Sequence, residues 1–185
     1  MICAYDETIR EDLDYMNDIQ KQFPLSQTKI VKKTIVDVFA WSIFFVSMLA
    51  ALGVMSFTVD AALQALLMAG IIGLVVLWIV VIVLSYLYQV WYFNTYFYDF
   101  ATDYLVIKKG PITPREITIP YERIQDVYVD QDLLDRLLGL YDVHLSSATV
   151  SSGMEAHIDG VEKPAADGLR AALLKTVSER ISKKS

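Results

Sequence analysis

The sequence predicts an α+β protein in which a hairpin of two apolar helices precedes a small antiparallel sheet and one C-terminal helix. The hairpin is predicted by two uncharged runs, residues 38–57 and 61–98, because about 20 apolar residues suffice to cross a bilayer core. The sheet is predicted by the short alternating segments and turn signals that follow these runs. A hydrophobic content of 55% is high for a soluble domain and agrees with a membrane-embedded part.

The hairpin is expected to occupy residues 34–94, with spans near 36–57 and 62–90. A cleaved signal peptide is a poor alternative, because the first run lies behind an acidic, polar segment. An unbroken helix over residues 61–92 would measure about 48 Å against a core of about 30 Å, so the end of the second run must leave the lipid. That end is crowded with aromatic residues, as in an interfacial belt: Tyr86, Tyr88, Trp91, Tyr92, Tyr96 and Tyr98.

Basic residues predict the orientation of the hairpin. Lys29, Lys32 and Lys33 precede the first span, whereas the connecting residues 58–60 contain no Lys or Arg. By the positive-inside rule the N-terminus is then cytoplasmic, and two spans return the C-terminus to the same side.

One face of the second helix is predicted to allow close approach of another helix. Its small residues recur at four-residue spacing, at Ala61, Ala65, Ala69 and Gly73. The partner is either the first helix, through Ser47 and Ala51, or a second subunit. The uncharged runs contain no Lys, Arg, Asp, Glu or His, which disfavours an ion or proton pathway.

Residues 1–33 are predicted to form a cytoplasmic amphipathic helix with a basic flank. Thr8 and Glu11 fit a capping box, and the helix ends near Pro24. Its apolar side carries Ile9, Leu13 and Met16, which are candidate protein-interaction residues. The other side is acidic and should be repelled by anionic lipid, so we expect docking on protein, either its own C-terminal domain or a partner. A merely solvated helix is the alternative.

Residues 95–185 are predicted to form a cytoplasmic domain. Strands are expected at 104–109, 112–119, 124–129, 143–145 and 157–158, followed by a helix over 164–183 that buries Leu169, Leu173 and Val177. Strands followed by one amphipathic helix make an α+β domain.

A short helix is predicted between the third and fourth of these strands. Asp132 is a good N-cap and Gly139 can close the helix in a left-handed conformation. We expect its leucines to lie on one buried side, where a charge at Leu137 would unfold the domain locally. They are also candidates for protein interaction: Leu133, Leu134, Leu137 and Leu138.

Catalytic and metal sites are not predicted. The chain has one cysteine, Cys3, and two separated histidines, so no metal-ligand spacing is present. His144 and His157 have possible catalytic companions in Asp142, Asp159, Ser146 and Ser147, but His144 should face outward from its strand as an ordinary solvated imidazole. No nucleophile elbow, zinc-protease motif or phosphate-binding loop accompanies them. An acidic domain also lacks the charge that nucleic-acid binding needs.

The order of these elements resembles the membrane-flanking bacterial pleckstrin-homology (PH) family. The resemblance covers about residues 86–182 and is carried by Ile119-Pro120, by Arg123-Ile124-Gln125 and by the stretch from Arg136 through Gly139-Leu140, with two helices directly before the domain. It implies a PH-like curved sheet or partial barrel with a C-terminal helix across one end, in a prokaryotic cell membrane protein with a non-enzymatic accessory role.

Two binding roles follow from these observations. In the first, the chain is an adaptor that joins another membrane protein or further copies of itself, without cofactor, nucleic acid or small-molecule substrate. In the second, the domain senses lipid headgroups through Lys108, Lys109 and Arg115. Headgroup recognition normally uses four or more clustered basic residues, so the adaptor role is favoured.

Overall fold

The computed structural model describes residues 19–147 and 156–184. The chain divides into two compact units. The hairpin unit is Ile30–Trp91, and the domain unit combines Met1–Lys29 with Tyr92–Ser185. The domain unit is therefore built from two separate stretches of chain.

Two long helices make the hairpin unit. Helix α1 covers Thr28–Ser56 and helix α2 covers Ala61–Thr95, and both are long and apolar enough to cross a membrane. Only residues 57–60 connect them. Polar and aromatic contacts join the helices: the Gln89 amide donates to Asp37 at 2.6 Å, and the rings of Phe45 and Trp78 stack with centroids 6.2 Å apart.

Among the described residues, the domain unit contains two three-stranded antiparallel sheets, a short internal helix and a long C-terminal helix, as the fold class predicts. The first sheet has the order β1-β2-β3, with β1 at Phe97–Phe100, β2 at Tyr104–Lys109 and β3 at Arg115–Pro120. The second has the order β4-β5-β6, with β4 at Ile124–Asp130, β5 at Leu140–Ser147 and β6 at Ala156–Glu162. Helix α3, Leu133–Leu138, lies between β4 and β5, and helix α4 covers Lys163–Lys184.

Strand alternation builds the core between these elements. In the first sheet, Leu105 lies opposite Ile119 and both are buried. In the second sheet, the fully buried Val143 lies opposite Ile158. Helix α4 adds buried leucines from its inner face, Leu169 and Leu173, with the partly buried Val177 as predicted. One continuous apolar cluster therefore joins both sheets and α4.

The predicted aromatic belt is wrong at its last two residues. Tyr96 is 3% exposed and Tyr98 is fully buried, and both belong to the domain core. The physical reason is strand β1, Phe97–Phe100, which begins directly after α2 and was not expected. An unbroken apolar run does not distinguish lipid from protein core as the environment of its last residues.

Several predicted strand boundaries are also corrected. The strand expected over 112–119 begins only at Arg115, because residues 110–114 form the turn before it. The short strands expected at 143–145 and 157–158 extend over Leu140–Ser147 and Ala156–Glu162. Pairing with neighbouring strands sustains these longer strands where local alternation is weak.

The segment before α1 belongs to the domain unit. Leu25 forms an isolated bridge with Val161, and the Ser26 amide donates to the Gly160 carbonyl at 2.9 Å. Phe23 packs so closely on Gly168 that a side-chain carbon there would lie 2.2 Å from its ring. The described end of the N-terminal segment thus docks on its own domain, one of the two alternatives predicted. Ile9, Leu13, Met16 and the capping-box residues lie outside the described residues.

Candidate functional site

Helix α3 is a short helix held rigidly at both ends. The Asp132 carboxylate accepts from the Asp135 amide at 2.7 Å, and the Asp135 carboxylate accepts from the Asp132 amide at 3.2 Å. This reciprocal capping box and the left-handed Gly139, with φ of 70°, confirm the predicted caps. Capping at both ends holds the orientation of the side chains between them.

The expectation that α3 buries four leucines is wrong. Leu133 is 86% exposed and Leu137 is 80% exposed, whereas Leu134 and Leu138 are half-buried. The reason is helical geometry: the two pairs each repeat at four residues but are offset from one another by about 100°, so this short helix turns only one pair inward. The buried side also holds Asp135, whose carboxylate makes the cap. A charge at Leu137 is therefore not expected to unfold the domain.

Both histidines lie in an aromatic row across the second sheet. Tyr128, His144 and His157 are cross-strand neighbours on β4, β5 and β6, with ring centroids 5.0 Å and 5.3 Å apart. The His144 Nε2 atom lies 3.0 Å from Asp130 Oδ1. His144 does face outward as predicted, but it is stacked and only 15% exposed rather than freely solvated. Stacked rings on adjacent strands are a structural arrangement that stabilises a sheet.

Asp159 is the centre of a buried charge cluster that sequence reasoning missed. Its carboxylate lies 3.1 Å from Lys29 Nζ and 3.3 Å from Lys109 Nζ. Tyr96 donates its hydroxyl to the same carboxylate at 3.0 Å, and Lys29 Nζ lies 3.6 Å from the centre of the Tyr96 ring. Burial, followed by the negative charge of Asp159, raises the pKa of the Tyr96 phenol well above its usual value. No local sequence signal indicates contacts between residues so far apart in the chain.

Of the three basic residues proposed for lipid headgroups, Lys109 and Arg115 are cross-strand neighbours, whereas Lys108 lies on the other face. Lys109 turns inward, where it pairs with Asp159 and donates to the His157 carbonyl at 2.8 Å. Lys108 lies on the opposite face of β2 and pairs with Glu116 at 3.5 Å. Arg115 is exposed opposite Lys109. Strand alternation separates neighbouring lysines in this way because successive side chains point to opposite faces.

The small-residue face of α2 is not covered by the first helix. Ala65, Ala69 and Gly73 are exposed, and a side-chain carbon added at Gly73 would meet no atom within 4 Å. The side chain of Ala61 lies outside the described part of the chain. The described part of the first helix leaves this face exposed, and its packing partner stays a prediction.

Metal-ligating groups were sought across residues 19–147 and 156–184. Within these ranges, no group of three or more His, Cys, Asp or Glu side chains is placed to hold a metal ion. Asp159, one proposed companion of the histidines, lies 3.7 Å from His157 Nε2 and is also paired with Lys29 and Lys109.

Comparison with known proteins identifies the family. A sequence model described as the bacterial PH domain matches residues 44–177, which include most of the hairpin as well as the domain. Neither the curated proteins nor the solved structures contain a significant match. The matched region covers more than half of the chain and agrees with two small antiparallel sheets closed by a C-terminal helix. The chain belongs to the bacterial PH domain family.

Proposed function

We propose that this protein is a membrane-anchored, non-enzymatic adaptor or accessory subunit. Its α1–α2 hairpin crosses the cell membrane, and its PH-like domain assembles with another membrane protein, or with further copies of the chain, at the cytoplasmic face. PH-like domains generally serve in protein interaction or lipid binding rather than in catalysis, which supports a binding role.

The observation that carries the proposal is the exposed leucine pair on α3. Leu133 and Leu137 are 86% and 80% exposed, on a helix whose caps hold it in one conformation. Exposed apolar side chains on a rigid element favour protein contact, because little conformational entropy is lost when they are buried. Lipid-headgroup sensing has weaker support, since Lys109 is engaged inside the domain and Lys108 is paired with Glu116.

Site-specific photo-crosslinking in native membranes tests this proposal. A photoreactive residue at Leu137 should capture a stoichiometric protein partner at both low and high salt, because apolar contacts are not screened by ions. Leu174, which is 47% exposed on α4, is the matched control position. The photoreactive residue placed there should capture less of the partner.

Two results would count against the adaptor role. One is recovery of a lone protein with anionic lipid that is lost as salt rises, which would support headgroup sensing. The other is turnover of a defined substrate by the purified monomer. In the protein without a photoreactive residue, combined Leu133→Ser and Leu137→Ser substitutions should abolish copurification of that partner without reducing the amount of protein in the membrane.

A further inference from the structure

The outward face of β4 places an aromatic ring between two carboxylates. Val127 and Val129 face the core, so Asp126, Tyr128 and Asp130 alternate with them on the outer face. Tyr128 is 41% exposed and the Asp130 side chain is 56% exposed. The His144 ring lies nearly parallel to Tyr128, at 5°, and its Nε2 atom lies 3.0 Å from Asp130. The ring and one carboxylate are thus held in fixed positions.

The same β-hairpin carries an excess of negative charge beside the exposed leucines. Residues 126–142 contain five Asp and one Arg, a net charge of −4. Asp126, Asp130 and Asp132 are exposed on this hairpin, and Asp132 directly precedes Leu133. The surface therefore combines an apolar pair, an aromatic face and several carboxylates within one β4–α3–β5 unit.

We propose that the partner of this surface is a cationic, apolar protein segment, of the kind found where a transmembrane helix of another protein reaches the cytoplasm. This inference depends on the proposed function and specifies its partner. A Lys or Arg side chain fits over the Tyr128 ring by cation–π attraction while Asp126 and Asp130 bind its charge. Apolar side chains of the same segment cover Leu133 and Leu137.

General membrane chemistry favours this partner over the lipid surface. Cytoplasmic flanks of transmembrane helices are enriched in Lys and Arg, so such segments carry the charge that complements this hairpin. The cytoplasmic leaflet is instead negatively charged and repels a surface of net charge −4.

Peptide binding to the full-length protein in zwitterionic nanodiscs tests the inference. Two synthetic peptides of equal length and equal leucine content are compared by fluorescence anisotropy, one with four lysines and the other with four glutamates. We expect the lysine peptide to bind at least tenfold more tightly. The double variant Asp126→Asn/Asp130→Asn should bind the lysine peptide more weakly, with the Kd raised about two- to fivefold for each charge removed. The control pair Asp167→Asn and Glu179→Gln, with the same change in net charge on α4, should leave the Kd unchanged.

Variants at Tyr128 separate ring recognition from general charge attraction. Tyr128→Leu should reduce the preference for the lysine peptide, whereas Tyr128→Phe, which keeps an aromatic face, should retain it. Equal weakening by the α4 control pair would overturn the inference, because it would indicate diffuse attraction to an acidic protein.

The remaining outcomes distinguish failure of this inference from failure of the adaptor role. Equal binding of both peptides, lost in the combined Leu133→Ser and Leu137→Ser variant, would overturn the cationic partner and leave the adaptor role standing. Binding of anionic vesicles, with no peptide binding that depends on the leucines, would overturn both.

Discussion

Asp159 is the residue on which the internal electrostatics of the domain unit depend. Its carboxylate lies within 3.3 Å of two lysine amines, and the side chains of Lys29 and Asp159 are only 3% and 7% exposed. Lys29 comes from the first turn of α1 and Lys109 from the end of β2, so one carboxylate joins separate stretches of chain. A buried ion cluster contributes little net stability when complete, but removing one partner leaves the others uncompensated.

We therefore expect Asp159→Asn to lower the free energy of unfolding of the domain unit by about 3–5 kcal/mol. Hydrogen-exchange protection of the strand amides measures this loss in the full-length protein. Asp103→Asn is the control, because Asp103 is 74% exposed and its ion pair with Arg180 should be worth at most about 1 kcal/mol. Equal effects of the two substitutions would show that the Asp159 cluster is not structurally important.

Two buried tyrosines predict a loss of stability at alkaline pH. Burial raises the pKa of the Tyr98 phenol, and burial with the Asp159 charge raises that of Tyr96. An unfolded tyrosine has a pKa of about 10, so above that pH the unfolded chain releases protons that the folded domain retains. The contribution is fully present below about pH 10 and is lost as pH rises further, at up to about 1.4 kcal/mol per pH unit for each phenol.

Hydrogen exchange of the domain at several alkaline pH values, corrected for intrinsic exchange rates, measures this slope. Tyr96→Phe and Tyr98→Phe should each make the decrease in unfolding free energy with pH shallower. Both variants should also be less stable at neutral pH, because Tyr96→Phe loses the hydrogen bond to Asp159 and Tyr98→Phe loses the one to the Phe23 carbonyl. A double variant with the same slope as the natural protein would contradict the explanation.

At the scale of single elements, α3 owes its position to its caps rather than to its apolar side chains. Six residues are too few for a helix to be stable by propensity alone. Its capping box and the left-handed Gly139 satisfy its terminal backbone groups, while Leu133 and Leu137 remain exposed. The helix can therefore present these side chains without depending on them for stability.

This division of roles predicts opposite outcomes for two substitutions in α3. Leu137→Glu should change the melting temperature of the domain very little, since exposed positions are usually within about 0.5 kcal/mol of neutral. Gly139→Val should destabilise it by about 1–2 kcal/mol or more, because a β-branched residue is strained at a φ of 70°. Thermal denaturation by circular dichroism compares them, and a larger loss for Leu137→Glu would restore the buried-leucine hypothesis.

At the scale of the whole molecule, the chain leaves the domain unit and returns to it. Lys29 ends the first part of this unit and Tyr92 begins the second. Between them lie two helices of membrane-spanning length and composition. A hairpin inserted in this way brings both of its ends back to one domain, which agrees with the proposal that both termini are cytoplasmic.

Cysteine accessibility tests that topology. In a Cys3→Ser background, Thr58→Cys in the connection between the helices should react with an impermeant maleimide added to intact cells, whereas Ser182→Cys in α4 should react only after permeabilisation. Labelling of both positions from outside, or of Ser182→Cys alone, would contradict two spans with cytoplasmic termini.

The sequence by itself determined the features that are set locally. Charge-free length predicted both long helices, turn residues and alternation predicted five of the six strands that the structure describes, and Asp132 and Gly139 predicted the ends of α3. Each depends on residues close together in the chain, so periodicity and capping chemistry are sufficient to recognise it.

Only the tertiary structure decided which apolar and charged side chains are buried. It directed Tyr98 into the core instead of an interfacial belt, turned Leu133 and Leu137 outward, and paired Lys109 with the buried Asp159. These outcomes depend on what packs against each face, and the packing partners lie far away in the chain. A periodic pattern marks the faces of an element, but the partner that covers a face determines whether it forms core or an exposed surface.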